Sequence, residues 1–149
     1  MFDPVINYKS ILLIDDDEDD CYLFQRAVSK ISSDIEFFCI NSAEALWSFL
    51  ENTKPSIIFI DLHLPKQNGL ECLRLIRTIP SFRDIPVIFW SGSSNARNIA
   101  LAYSYGAQYY FEKPCYINDL VDEISRSLHM NNEMDYPLHE ALLNCQTAG

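Results

Sequence analysis

Asp15, Asp16, Asp61, Ser91 and Lys113 each stand at or just beyond the end of a short apolar run, and as a group they suit phosphoryl chemistry. Ile11-Leu12-Leu13-Ile14 leads into Asp15-Asp16, and Ser56-Ile57-Ile58-Phe59-Ile60 leads into Asp61. Val87-Ile88-Phe89-Trp90 leads into Ser91, and Tyr109-Tyr110-Phe111-Glu112 into Lys113-Pro114. Carboxylates gathered round one cavity repel one another unless a divalent cation joins them. Mg²⁺ is the expected ion, because it takes oxygen ligands, keeps several waters and is commonly completed by a phosphate oxygen. A carboxylate such as Asp61 can also act as a nucleophile and become an aspartyl-phosphate. The charge that spreads over the phosphoryl oxygens is then met by the cation, by an ammonium at Lys113 and by a hydroxyl at Ser91.

These residues converge only if the runs that carry them are parallel strands of one sheet, since such sheets bind ligands at their carboxyl edge. The chain alternates short β-like runs with helical periods, as βαβ units do. Strands are expected over residues 10–15, 34–40, 56–61, 87–91 and 108–112. The first helix is expected over residues 17–32, capped by Asp17, with Leu23, Phe24, Ala27, Val28 and Ile31 facing inward. Asn41 or Ser42 caps a second, with Ala43, Leu46, Trp47 and Leu50 inside. A third carries Leu70, Leu73, Ile76 and Arg77 after the loop marked by Pro65 and Gly69. The fourth is capped within Ser93-Ser94-Asn95 and stopped by Gly106. The fifth, over residues 117–128, turns Ile117, Leu120, Val121, Ile124 and Leu128 inward. The expected fold class is α/β: a flavodoxin-like, doubly wound, five-stranded parallel sheet of order 2-1-3-4-5 with five helices. Its switch point lies between the first and third strands, which carry Asp15-Asp16 and Asp61.

Bulk composition narrows the function. A chain of 149 residues suits a single domain. A formal charge of −10 and a pI near 4.5 disfavour direct grip on nucleic acid. The five cysteines (Cys21, Cys39, Cys72, Cys115, Cys145) are scattered, without a C-x-x-C pair. They argue against a disulfide framework or a zinc site and for a reducing cytoplasm. Met1-Phe2-Asp3-Pro4 does not read as a signal peptide, and no run has the length of a membrane span.

The segments Leu12-Leu13-Ile14-Asp15-Asp16-Asp17, Asp61-Leu62-His63-Leu64-Pro65-Lys66-Gln67-Asn68-Gly69, Val87-Ile88-Phe89-Trp90-Ser91 and Glu112-Lys113-Pro114 together resemble the receiver domain of two-component response regulators. The resemblance runs from about Ser10 to Leu128. It implies a stand-alone, chemotaxis-regulator-like receiver over residues 1–130, with an acidic C-terminal tail over 131–149 and no output domain. It further implies that Asp61 accepts a phosphoryl group from a sensor histidine kinase or a histidine phosphotransfer protein. Asp16 and Asp61 would ligate Mg²⁺ directly, Asp15 mainly through metal-bound water, and the backbone carbonyl of His63 would complete the protein ligands. Ser91 and Tyr110 match the switch pair, Lys113 the phosphoryl counter-charge, and the Lys113–Pro114 bond is expected to be cis. Such a protein is a phosphoacceptor that assists its own phosphorylation and dephosphorylation, not a turnover enzyme. It signals by protein contact through the face of the fourth helix, fifth strand and fifth helix, as a monomer or weak dimer, without contacting nucleic acid or membrane.

Plainer readings exist for several of these residues. Glu18, Asp19 and Asp20 suit the positive end of a helix dipole. The His63 side chain reads as lining the site mouth, and His129 and His139 as surface residues. The crowd of Tyr103, Tyr105, Tyr109, Tyr110 and Tyr116 is partly core, with one or two rings left exposed for an interface. A rival function is an aspartyl-phosphate hydrolase of haloacid-dehalogenase type. That family typically carries an Asp two residues after its nucleophile, where His63 stands. A flavin or nucleotide binder would need a Gly-rich loop after the first strand, where this chain has acids. An unphosphorylated scaffold is disfavoured because every site position is filled.

Overall fold

Residues 8–93 and 95–130 are described by a computed structural model. The expected tail over residues 131–149, with His139 and Cys145, and a capping role for Ser94 lie outside them. The elements are β1 (Ser10–Ile14), α1 (Glu18–Ile31), β2 (Glu36–Ile40), α2 (Ala43–Asn52), β3 (Ile57–Asp61), α3 (Gly69–Thr78), β4 (Val87–Ser91), α4 (Ala96–Ser104), β5 (Tyr109–Glu112) and α5 (Ile117–His129), with a 3₁₀ turn at Pro80–Phe82. All neighbouring strands pair in parallel, in the order β2-β1-β3-β4-β5. The doubly wound sheet expected from the sequence is the observed one.

Every residue of β3 and β4 is buried, as expected of central strands covered on both faces. Alternation sorts the side chains into two cores. Leu12, Ile14, Ile58, Ile60, Val87 and Phe89 face α2, α3 and α4. Ile11, Leu13, Ile57, Phe59, Ile88 and Trp90 face α1 and α5. The edge strand β2 is half exposed.

Helix starts follow the predicted chemistry. Asp17 caps α1 by accepting the amides of Asp19 and Asp20 at 2.9 and 3.1 Å. Ser42, Asn68 and Asn95 cap α2, α3 and α4 in the same manner. Gly106, at φ +101°, closes α4 in a conformation that favours glycine. Phe24, Ala27 and Val28 form the buried face of α1 as expected, but Leu23 is exposed. At 100° per residue it falls just outside the arc those three define.

Two contacts set the geometry that the site inherits. At the foot of the sheet, Ser56 Oγ accepts the amides of Lys9 and Ser10, both at 3.2 Å, and Ser10 Oγ accepts the amide of Ser56 at 3.1 Å. At the top, the amide of Gly69 donates to the Leu62 carbonyl at 2.8 Å. A Cβ on Gly69 would lie 2.6 Å from the Asp61 carbonyl oxygen and 2.9 Å from the Phe89 ring. Only glycine lets α3 start this close to the strand end.

Two further expectations are corrected. Cys21 on α1 and Cys39 on β2 form a disulfide across 18 positions, although the spacing pattern argued against one. The pairing of β2 with β1 brings the two sulfurs together, and no short-range motif signals that. Second, the Lys113–Pro114 bond is trans, there being no cis peptide among the described residues. Trans is the favoured form of an X–Pro bond by about 0.5–1 kcal/mol.

Candidate functional site

Strand register levels the acidic groups. Ile14 pairs with Ile60 and Asp61 with Trp90, so Asp15 and Asp61 leave adjacent strands at the same height. The Asp15 amide continues the ladder by donating to the Ile40 carbonyl at 3.0 Å. Beyond it the chain turns outward, held by the Asp17 amide on Asp15 Oδ1 at 2.9 Å. The His63 amide similarly donates to Asp61 Oδ1 at 3.2 Å. Asp15 and Asp61 are buried and Asp16 is exposed.

One carboxylate oxygen from each of Asp15, Asp16 and Asp61 lies within 4.8 Å of the others. An all-oxygen set of this charge and spacing fits a hard divalent cation. Its electrostatics agree. Burial pushes the Asp15 carboxyl up to about 6, against hydrogen bonds from Lys113 and the Asp17 amide that pull it down, while the Asp61 charge pushes it further up. A group that resists ionisation in this way gains from a nearby positive charge.

Lys113 supplies one. Its backbone amide donates to the Ser91 carbonyl at 2.7 Å, fixing the end of β5 against β4. Its Nζ then reaches Asp15 Oδ2 at 2.8 Å, Asp20 Oδ2 at 2.8 Å and Asp61 Oδ2 at 3.1 Å. Nζ also sits 4.6 Å from the centre of the Trp90 ring. Burial works to lower the ammonium's pKa, but the bonds to Asp15 and Asp20 and the charges of Asp15 and Asp61 raise it above the ordinary lysine value. Lys113 therefore stays charged.

The Ser91 side chain is fully buried, and its Oγ accepts the Ser93 amide at 3.3 Å. Tyr110 points inward, stacked on Phe89 at 6.0 Å. Its hydroxyl donates to the Ser93 carbonyl at 2.8 Å, and its amide donates to the Tyr103 hydroxyl at 3.1 Å. Burial raises the Tyr110 phenol's pKa. Ser91 and Tyr110 thus grip the same residue of the β4–α4 loop. His63 is exposed, in keeping with a side chain at the site mouth.

Asp20 was not foreseen as part of this cluster. The sequence marks it as a first-turn carboxylate, which it is, but its side chain also reaches Lys113 Nζ at 2.8 Å. Trp90 was seen only as the neighbour of Ser91. A cation poised over its ring comes from the meeting of β4 and the β5–α5 loop, which spacing does not encode.

The family model described as the response regulator receiver domain matches residues 11–125. The response regulator Rcp1 of Synechocystis sp. is 29% identical over 119 residues, covering 75% of this chain and 81% of that protein. The response regulator protein GraR of Staphylococcus haemolyticus is 30% identical over 116 residues, covering 76% of this chain but only 49% of GraR. Among solved structures, the Mn²⁺-bound form of Rcp1 superposes with a TM-score of 0.72 at 28% identity, over 85% of this chain and 96% of that one. The phosphorylated cyanobacterial phytochrome response regulator RcpA gives 0.73 at 26% identity, over 80% of this chain and 90% of that one. CheY4 of Vibrio cholerae, at 14% identity and a TM-score of 0.71 over 79% of this chain and 97% of that one, shares the fold.

Proposed function

The chain belongs to the response regulator receiver domain family of two-component signalling, and on that premise we propose that Asp61 is its phosphoacceptor. The observation that carries this reading is the placement of Lys113 Nζ 3.1 Å from Asp61 Oδ2, beside three carboxylates spaced for a divalent cation. A sensor histidine kinase or a histidine phosphotransfer protein presents a phosphohistidine. An Asp61 carboxylate oxygen attacks phosphorus, the P–N bond breaks, and the electron pair returns to the imidazole. Lys113 shifts from Asp61 to a phosphoryl oxygen without changing its charge. The Ser91 hydroxyl turns from the Ser93 amide to donate to another.

Mg²⁺ is the proposed ion; Asp16, Asp61 and the His63 carbonyl would hold it, and Asp15 would act through water. When bound it neutralises charge on the phosphoryl group in the transition state. Divalent cation binding is supported by the acidic cluster and by the Mn²⁺-bound Rcp1 structure. Phosphorylation of the chain is supported by its similarity to RcpA, whose structure is of the phosphorylated protein.

Ser91 and Tyr110 are proposed to move together, because both hold Ser93, and to reshape the α4–β5–α5 face. Tyr116, 73% exposed, and the half-buried Tyr105 suit protein contact on that face. We assign residues 1–130 to the receiver and 131–149 to an acidic tail. The protein acts in the cytoplasm as a monomer or weak dimer, signals through a downstream protein and does not turn over substrate. No helix among the described residues is long and apolar enough to cross a membrane. No observation favours the hydrolase reading.

Incubation with acetyl phosphate and Mg²⁺ tests the assignment. Intact-protein mass spectrometry should show one acid-stable, base-labile phosphoryl group on the wild type and none on Asp61→Ala. Equal labelling of the two proteins refutes the assignment.

A further inference from the structure

The Cys21–Cys39 disulfide borders the acidic site. Cys21 Sγ lies 3.6 Å from the Asp15 carbonyl oxygen. Both cysteines line the same groove, about 440 Å³ in volume, as Asp15, Asp16 and Glu18. The bond ties α1 to β2 at the residue following Asp20, whose carboxylate holds Lys113 at 2.8 Å. Cys39 is exposed on an edge strand, where a soluble thiol can reach it. In a reducing compartment, disulfides of this kind are usually transient and redox-responsive.

We propose that Cys21 and Cys39 form a reversible redox modification site whose state sets the affinity of the Asp15–Asp16–Asp61 pocket for a divalent cation. That the pocket takes a cation at all rests on the reading above. Reduction begins when a thiolate of a small dithiol attacks Cys39 Sγ; the S–S bond breaks and Cys21 leaves as a thiolate that takes a proton. The second thiol of the reductant then displaces Cys39, closing a cyclic disulfide and leaving two protein thiols. Oxidation by a disulfide such as oxidised glutathione runs the same exchange in reverse and releases two thiols.

The oxidised bond holds the first turn of α1 against the end of β2, and so fixes the wall that carries Asp15, Asp16 and Asp20. Once reduced, that turn is freed and must be ordered again at each binding event. Reduced Cys21 also gains a proton that it can donate to the Asp15 carbonyl, in the peptide unit joining Asp15 to Asp16. The tether outweighs that single weak S–H bond, so the oxidised form binds more tightly.

The test uses the full chain, oxidised with glutathione disulfide or reduced with dithiothreitol and then freed of reagent. Isothermal titration with Mn²⁺ alone should show affinity falling about threefold to tenfold on reduction. Peptide mapping after alkylation should show Cys21 joined to Cys39 only in the oxidised sample. Cys39→Ser should bind like the reduced protein under both treatments, and Cys21→Ala provides a second variant if the first folds poorly by circular dichroism. Equal wild-type affinities in the two states, or failure of the pair to form on oxidation, overturns the proposal. Acetyl phosphate labelling is measured in parallel. If neither form is labelled, the phosphoacceptor reading fails while the Mn²⁺ comparison still decides this one. If Mn²⁺ binds neither form, both fall.

Discussion

Replacing Lys113 with methionine keeps much of the aliphatic stem but removes the ammonium that binds three carboxylates at 2.8, 2.8 and 3.1 Å. The Asp15 side chain is wholly excluded from water and Asp61 nearly so, whereas Lys113 keeps 18% and Asp20 27% of their side-chain exposure. Removing one member of a buried pair costs about 3–5 kcal/mol. Solvent reaching Lys113 and Asp20 lowers the expectation to about 2–3 kcal/mol near neutral pH. For a chain of this size, that corresponds to a fall in Tm of about 4–12 °C in metal-free buffer. Two conditions should shrink the loss. Asp15 already titrates near 6 because burial outweighs the pull of Lys113, and without Lys113 its pKa rises further. At about pH 5 the variant's Asp15 is therefore neutral, and the deficit should drop to about 1 kcal/mol. Excess Mg²⁺ at neutral pH should also restore most of the loss, since the cation replaces the missing charge. Thermal unfolding of both proteins with chelator and with Mg²⁺, at acid and neutral pH, reads all of this. A deficit that is the same in every condition would show that Lys113 acts by packing, refuting the electrostatic account.

Asp15 gives the wild type its own pH signature. Its folded pKa of about 6 lies above the ordinary value of 3.8, so the folded state binds the extra proton between them, and this contribution to stability is lost as pH rises through that window. The full shift converts to roughly 3 kcal/mol, and partial solvation with the coupling to Lys113 brings it to about 1–2 kcal/mol. Urea unfolding in chelator should show that decline relative to Asp15→Asn, and parallel profiles would contradict it. Gly69→Ala should destabilise by about 1–3 kcal/mol and slow phosphorylation, because its Cβ would strike the Asp61 carbonyl at 2.6 Å; unchanged urea midpoints would count against the close approach. In a Trp47→Phe background, Mg²⁺ should alter the emission of Trp90, whose ring lies 4.6 Å from the Lys113 ammonium that the ion would displace. An unchanged spectrum at saturating Mg²⁺ would mean that Lys113 stays put.

The sheet order and the strand-end residues were legible because short apolar runs and helical periods are local, and parallel connection then leaves little freedom. Asp15, Asp61, Ser91 and Lys113 could be placed together for that reason. Leu23 fell on the wrong side because a hydrophobic residue at the margin of a helical stripe gains little by burial. Asp20 and the Cys21–Cys39 pair escaped because each depends on how α1 lies across the sheet, a tertiary angle without a periodic trace. The trans Lys113–Pro114 bond corrects an expectation taken from resemblance, not from the residues themselves.

The hydroxyls of Ser10 and Ser56 stand at the far end of the sheet from the acidic cluster, each accepting an amide of the other's strand. Their reach is longer than their contacts. A strand is stiff along its length, and each residue advances about 3.3 Å with its side chain alternating between faces. A slip of one position at the serines would carry Asp61 a full step past Asp15 and turn it toward the opposite layer. The paired hydroxyls therefore work as a datum, the zero mark from which the height of each carboxylate is measured. Anyone grafting this acidic cluster onto another parallel sheet would have to copy the foot of the strands along with the residues at their tips.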